Sequence, residues 1–341
     1  MRIVHQGAIA IGDAFIDYLS INENNDNYEK RLGGASVNLA VHLSRFGIPS
    51  FYVTKLGIEQ DSQFVQEQLA KENIKLDYSV LSNGKLLPSV YIHLDQNGDR
   101  HFHSYENKTP DDVLSVDDIK EEAFLNKLLF YFGSGTLFHE AAKEATVKAI
   151  MTAKNHGAYI SFDANIRLKR WESEEHCRST ILSLLPIADI VKFSEEELLF
   201  LLEEESLDAA LSRVKEMNIP LLFVTAGKAG SYAVFQGQVQ HVKSKAVQAV
   251  DTTGAGDAFM GAVLYSIYTD GFPANIQKAA DYACNGNIMG ALIAKEPGAL
   301  PNIGGYSNIA EKFLLILIKT SSSNKELVFY VRNYSIECEI S

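Results

Sequence analysis

Two rhythms of apolar and polar positions run along this chain. From residue 128 onward, short apolar blocks recur as "LLFYFGS", "AYISFDAN", "ADIVKFS" and "LLFVTAG". Between them lie longer segments, such as "HEAAKEATVKAIMTAKN", whose apolar residues return every three or four positions. A short apolar run bounded by turn residues fits a strand buried on both faces, and a 3.6-residue period fits a helix. Repeated strand–helix–strand units of this length predict an α/β fold, with a mostly parallel central sheet flanked by helices. The opening "AIAIGDAFIDYL" reads as a strand. "ASVNLAVHLSRFG", residues 35–47, reads as a helix with Val37, Ala40, Val41 and Leu43 at helical spacing and Gly47 as its stop. In such sheets ligands bind at the carboxyl ends of the strands.

The second rhythm has a period of two. "PSVYIHLDQNGDRHFHSYE", residues 88–106, alternates around Asn97-Gly98, a strong two-residue hairpin signal. It predicts an antiparallel hairpin standing apart from the parallel sheet. Centring the turn there pairs His93 with Phe102 and sends His101 and His103 to the other face. The three histidines then do not converge, so they are read as strand histidines without a metal. The last segment, "SNIAEKFLLILIKTSSSNKELVFYVRNYSIECEIS", has an apolar run, a Ser-rich break and a strand-like end but no place in the alternation. Residues 307–341 are therefore set apart as an extension, either an appended element or a poorly ordered one.

Composition narrows the partners. The 341 residues suffice for one large α/β domain or two modest ones, and 31 Lys+Arg against 43 Asp+Glu give a net charge of -12. That balance argues against nucleic acid or an anionic membrane as main partner. Cys177, Cys284 and Cys338 suit neither a disulfide framework nor a zinc site. "MRIVHQGAIAIG" lacks a basic region leading into a long apolar run, and "FLLILI" is too short to span a bilayer. A cytoplasmic protein is expected.

The candidate chemistry lies in "AVDTTGAGDAFMGA", residues 249–262. "VQAV" before Asp251 is strand-like and the run after Gly256 is helical, so Gly254, Ala255 and Gly256 turn into a helix N-terminus. Backbone N–H groups without helical partners point outward there, the helix dipole adds positive potential, and small residues let a phosphate approach. Asp257 falls in the first helical turn. A carboxylate beside an anion site makes sense if it takes the proton of an alcohol attacking phosphorus. The bland alternative is that it caps its helix. No G-x-x-x-x-G-K-[ST] occurs, since neither Ser nor Thr follows Lys228, and no G-x-G-x-x-G follows the first strand.

"DTTGAGDAF" together with "GGASVNLAVHLSRFG" closely resembles the paired motifs of the ribokinase-like (PfkB) carbohydrate kinase family, in the same order and separation. Within it, the chain is most similar to bacterial fructokinases. The resemblance spans about residues 9–301. It implies an ATP-dependent sugar kinase domain over residues 1–306, with a small β-sheet lid drawn from about residues 14–32 and 88–106. It further implies that Asp257 is the general base and that the amides of Gly254, Ala255 and Gly256 form an anion hole. Asp17, Gly33, Gly34 and Asn38 match sugar-binding positions, where carboxylate and amide groups suit hydroxyls and glycine permits close approach.

The remaining assignments also follow from the resemblance. "ADIVKFSEEELLF" matches the phosphate and magnesium region; many members have Asn where Ser194 stands, fructokinases often carry Ser there, and Glu197 keeps the acid that acts on Mg2+ through water. Without the family, Glu195 to Glu197 are acidic residues favourable to a helix start. Thr225, Gly227 and Gly230 match the nucleotide loop, and Asn287 a position near the adenine. Asp251, Thr253 and Gly298 lie where relatives bind a monovalent cation, K+ being the candidate, although an Asp before a turn commonly satisfies its own backbone. In "FDANIRLKRW", Asn165 and Arg167 fall near the sugar and phosphate sites, with Ala164 where most relatives have Pro. Arg suits a phosphate or a carboxylate, and a surface Arg is the alternative. Fructose is the expected acceptor, at a primary hydroxyl. The alternatives are 2-keto-3-deoxygluconate or another sugar, and a non-enzymatic nucleotide- or sugar-binding module. The lid edges offer a route to a homodimer.

Overall fold

The computed structural model describes residues 6–95, 100–244 and 247–303, with Tyr306, Ile309 and Cys338–Ile340. The opening apolar run is two strands, not one. β1 (Ala8–Ile11) is wholly buried, the chain breaks at Gly12, and β2 (Phe15–Ser20) joins a different sheet. β3 (Tyr28–Gly33) leads directly into α1 (Ala35–Arg45). A Cβ on Gly12 would lie 2.1 Å from Ser36 Oγ, so the break falls where the chain meets the start of α1. That helix stops as expected, with Gly47 at φ 83° and its N–H donating to the Ser44 carbonyl. β4 (Ser50–Val53), β5 (Lys55–Leu56), α2 (Gln60–Lys71) and β6 (Val80–Leu81) follow, then the long pair β7 (Ser89–Leu94) and β8 (Arg100–Glu106).

The second half is the predicted alternation: β9 (Leu129–Gly133), α3 (Glu140–Asn155), β10 (Tyr159–Asp163), α4 (Glu174–Leu184), β11 (Ile190–Ser194), α5 (Glu195–Leu202), α6 (Leu207–Val214) and β12 (Leu221–Thr225). β13 (Ser231–Phe235) and β14 (Gln238–Ser244) turn antiparallel, and α7 (Ala255–Asp270), α8 (Ile276–Ala294) and β15 (Cys338–Ile340) complete the described elements. The large sheet runs β15-β14-β13-β12-β11-β10-β9-β1-β4, parallel from β4 to β12. Strand order reverses at β1, with β4 on one side and β9 on the other, which opens a crevice beyond their carboxyl ends. Ala8, Ala10, Leu129 and Tyr131 pack under α1, α7 and α8, while Ile9, Ile11, Phe130 and Phe132 pack under α3 to α6. Neighbouring residues on one strand thus bury against opposite layers, which explains the uninterrupted apolar runs.

"VQAV" is not a strand. Its last residue and Asp251 both donate their N–H to the Ala294 carbonyl, at 2.8 and 3.2 Å, so the backbone ties to the end of α8 rather than to a neighbouring strand. Beyond residue 306, Ile309 is buried in the core and β15 pairs with β14, Val242 opposite Ile340. "FLLILI" lies outside the described residues. Among those described, no helix is long and apolar enough to cross a membrane.

The small sheet has the order β3-β2-β7-β8 and is separate, as the period-two segment predicts. The Asn97-Gly98 turn lies outside the described residues, but the register of its strands corrects the expectation for the histidines. Tyr91 faces Ser104 and Ile92 faces Phe102, so His103 is the extra residue of a bulge and His93 pairs with His101, not Phe102. The bulge brings the rings together: His93 stacks on His103 at 3.7 Å and meets His101 edge-on at 6.2 Å. Even so, no cluster of three His, Cys, Asp or Glu that could hold a metal occurs among the described residues.

Candidate active site

At the start of α7, Gly254 is the N-cap, with φ 76° and no side-chain cap, and the first helical residue is Ala255. A Cβ on Gly254 would sit 2.6 Å from Ala299 Cα, and one on Gly256 would sit 3.1 Å from Lys192 Nζ. What comes close to these glycines is therefore the protein itself. Ala255 spends its N–H on the Thr252 carbonyl at 3.2 Å, whereas the amides of Gly254 and Gly256 make no hydrogen bond among the described residues. The expected three-amide hole thus has two open donors, with the dipole of a 16-residue helix behind them.

Asp257 does not cap this helix. Its one hydrogen bond among the described residues comes from Asn38 Nδ2 to Oδ2 at 2.8 Å, which leaves Oδ1 available. Enclosure by the protein, then the nearby Asp163 charge, push its carboxyl up to about 7, against the lowering effects of Asn38, Lys192 and Arg167. A carboxylate near neutral acid strength is suited to accept an alcohol proton at ordinary pH. Asn38 is a buried residue of α1, and its Oδ1 has no partner among the described residues, so one group can orient the base while facing a hydroxyl.

The neighbouring glycines are required by shape. A Cβ on Gly33 would fall 2.5 Å from Asp17 Oδ2, and one on Gly34, at φ 111°, 2.8 Å from the Asp13 carbonyl oxygen. Asp17 projects from β2 beside them, and burial, offset in part by Arg31, pushes its carboxyl up to about 6. Arg31 reaches from β3 to Gly298, whose Cβ would lie 2.8 Å from the guanidinium. The small sheet therefore roofs a cleft of about 1230 Å³, with Asp17, Arg31, Val90 and Phe102 above and Asp251, Thr253 and Gly298 on the opposite wall.

Two residues that the structure places beside the start of α7 escaped the sequence reading. Asp163, the last residue of β10, is the register partner of Lys192 in the middle of β11, and Lys192 Nζ bonds both Asp163 oxygens at 2.8 and 3.0 Å. Burial alone would lower the Lys192 ammonium, but the Asp163 and Glu197 charges outweigh it and hold the lysine charged. With side chains 7 % and 1 % exposed, the pair places a fixed cation against Gly256. A lysine inside an otherwise apolar strand, one strand after an aspartate in the same setting, was the available signal.

At the other end, Ser194 and Glu197 form a capping box on α5. Glu197 Oε2 accepts from Ser194 N at 2.8 Å and Oε1 from Ile166 N at 2.7 Å, so both oxygens already serve backbone amides. That contact draws the turn bearing Asn165, at φ 37°, and Arg167 against the start of α5. Thr225 lies opposite Ser194 across β11 and β12, and Gly227 (φ 53°) and Gly230 (φ 96°) shape the next turn. Asn287 is buried on α8 and donates to the Val242 carbonyl at 3.0 Å, the same oxygen a Cβ on Gly230 would strike. Asp251 accepts from the N–H groups of Thr253 and Gly298, both at 2.9 Å, so these three residues do meet.

Comparison with known proteins bears on the family and the fold. Residues 6–302 match the family described as pfkB family carbohydrate kinase. A fructokinase of Vibrio alginolyticus is 33% identical over 291 residues, covering 85% of this chain and 93% of its own. Fructokinase-1 of Zea mays is 35% identical over 281 residues, covering 80% and 85%. Among solved structures, the fructokinase of Vibrio cholerae O395 in its fructose, ADP and calcium ion bound form superposes with TM-score 0.77 at 30% identity, covering 86% of this chain and 95% of that one. Aminoimidazole riboside kinase from Salmonella enterica shares the fold, with TM-score 0.77 at 23% identity over 90% and 100%.

Proposed function

The chain belongs to the pfkB family of carbohydrate kinases and has its ribokinase-like fold, and from that premise we propose that it transfers the γ-phosphoryl group of ATP to the 6-hydroxyl of D-fructose. The observation that carries this reading is Asp257, held by Asn38 at the open end of α7 with one oxygen unspent. In the proposed step Asp257 takes the hydroxyl proton, the sugar oxygen bonds to the γ-phosphorus, and the bond to the ADP oxygen breaks. The open amides of Gly254 and Gly256 and the buried ammonium of Lys192 face the charge on the transferred group.

Fructose is favoured by the relatives' names and by charge. The cations lining the cleft are matched: Lys30 with Asp61 at 2.7 Å, Arg31 with Glu29 at 3.1 Å and Arg45 with Glu72 at 2.7 Å. A site for a sugar acid needs an uncommitted cation, and holding one opposite a neutral sugar is costly. Arg167 is the residue that favours 2-keto-3-deoxygluconate as a second reading. Mg2+ fits this chain only as an ion held chiefly by ATP phosphates and water, with Glu197 as a water-mediated carboxylate, because no three-carboxylate cage is present among the described residues. When bound it would neutralise phosphate charge. K+ at Asp251, Thr253 and Gly298, a lid role for the small sheet, pairing of two such sheets in a homodimer, and a cytoplasmic location belong to the same proposal. The test is kcat/KM for D-fructose and 2-keto-3-deoxygluconate in one ATP-coupled assay. Preference for fructose is expected; preference for the keto acid would replace the acceptor, and no turnover with any sugar would return the chain to a binding module.

A further inference from the structure

Arg170 ends the single turn Leu168–Arg170 after β10, and three aromatic rings from three segments converge on it. Its guanidinium carbon lies 4.1 Å from the centre of Phe138, 5.3 Å from Phe15 and 5.4 Å from Tyr105. Phe138 follows β9 on the body of the protein. Phe15 opens β2 and Tyr105 lies in β8, so both belong to the small sheet, and their own rings are 6.1 Å apart. On its edge, Arg170 Nη2 stands 3.6 Å from Asp13 Oδ2. Asp13 is the link between β1 and β2, and its carbonyl oxygen is the atom that forbids a side chain on Gly34. The same turn touches β8 again through Lys169, whose ammonium lies 5.7 Å from the Phe102 ring.

A planar guanidinium can lie on ring faces while its edge still pairs with a carboxylate, which an ammonium cannot do. One side chain therefore joins the body, two strands of the small sheet and the Asp13 link beside Gly34. Neither the sequence motifs nor the phosphoryl-transfer step accounts for it. We propose that Arg170 is a positioning residue that ties the small sheet to the body beside Gly34, one of the expected sugar-binding positions, acting through Phe15, Tyr105 and Asp13. The inference rests on the small sheet being the lid of a sugar kinase, as proposed above.

Hydrogen exchange on the unliganded protein separates the two claims. In Arg170→Met, exchange at residues 15–20 and 100–106 should quicken by roughly tenfold or more, while residues 159–163 and 190–194 stay protected. The KM for the sugar should rise by about tenfold with the KM for ATP unchanged, as for loss of acceptor positioning alone. Arg170→Lys keeps a charge for Asp13 but cannot lie flat on three rings; it should show the same pattern more weakly, and it carries the test if the Met variant does not fold. Unchanged exchange in the small sheet in both variants would overturn the proposal. So would equal quickening in the central strands, which marks general destabilisation. If the wild type phosphorylates no sugar, the kinase reading of the substrate fails, yet the exchange comparison still decides whether Arg170 is the tie.

Discussion

The parallel part of the large sheet, β4 to β12, buries apolar residues on both faces with few polar groups among them, whereas the small sheet spreads polar and aromatic groups along its whole length. In the first, a charge survives only when matched, as with Lys192 on Asp163. In the second, rings do the joining: Tyr18 stacks on Tyr91 at 4.9 Å, and Tyr28 meets both edge-on. The difference separates two tasks. A buried strand and the helix packed on it can hold a cation and a base at fixed separation, while a thin sheet attached by loops and ring contacts can open and close at little cost.

The sharpest way to break that division is at the base. Asp257→Asn should keep the fold and ATP binding but lose about 10²–10⁴-fold in turnover; a purified variant phosphorylating sugar at the wild-type rate would contradict the assignment. Lys192→Met should cost about 3–5 kcal/mol of stability, because it strands Asp163 in the interior. Urea unfolding monitored alongside activity would show whether the pair belongs to the scaffold as well as the site. No loss of stability would mean that the charges are not held as described.

The small sheet should respond to ligand rather than to core substitutions. Saturating sugar is expected to slow exchange at residues 88–95 and 100–106 and leave β10 and β11 unchanged; no slowing would count against closure. Smaller still is the effect of Asn38→Leu. A hydrogen bond to a charged group is worth about 1.5–3 kcal/mol, and 1.36 kcal/mol moves a pKa by one unit, so the Asp257 carboxyl should rise by roughly one to two units. Since only the carboxylate accepts a proton, activity in this variant should need a correspondingly higher pH.

The contrast also explains what could be read from the chain. Strands buried on both faces announce themselves as apolar runs, and β9 to β12 fall where those runs predict. Rhythm alone does not say which sheet a strand joins, so β1 and β2 look like one strand although Gly12 separates them. A bulge is one extra residue with no signature in the alternation, which is why the partner of His93 was misassigned. The site was legible where a motif packs its residues together, as at Gly254 to Asp257. It was not where partners are far apart in sequence: Asn38 reaches Asp257 across 219 positions, and β15 finds β14 from the far end of the chain. Arg170 lacked a signal altogether, since its role depends on rings from three other segments.

In the proposed reaction Asp257, lifted to about 7 by enclosure and by Asp163, is the base of a sugar kinase. The direct measurement is kcat/KM for fructose phosphorylation by the wild type between about pH 5 and 9, with ATP and Mg2+ saturating. Because the raised carboxyl is protonated on the acid side and ionised on the alkaline side, the rate should climb tenfold per pH unit at low pH and level off above a midpoint near 7. A profile already flat across that midpoint, with its acid limb down in the ordinary carboxylate range, would contradict the account.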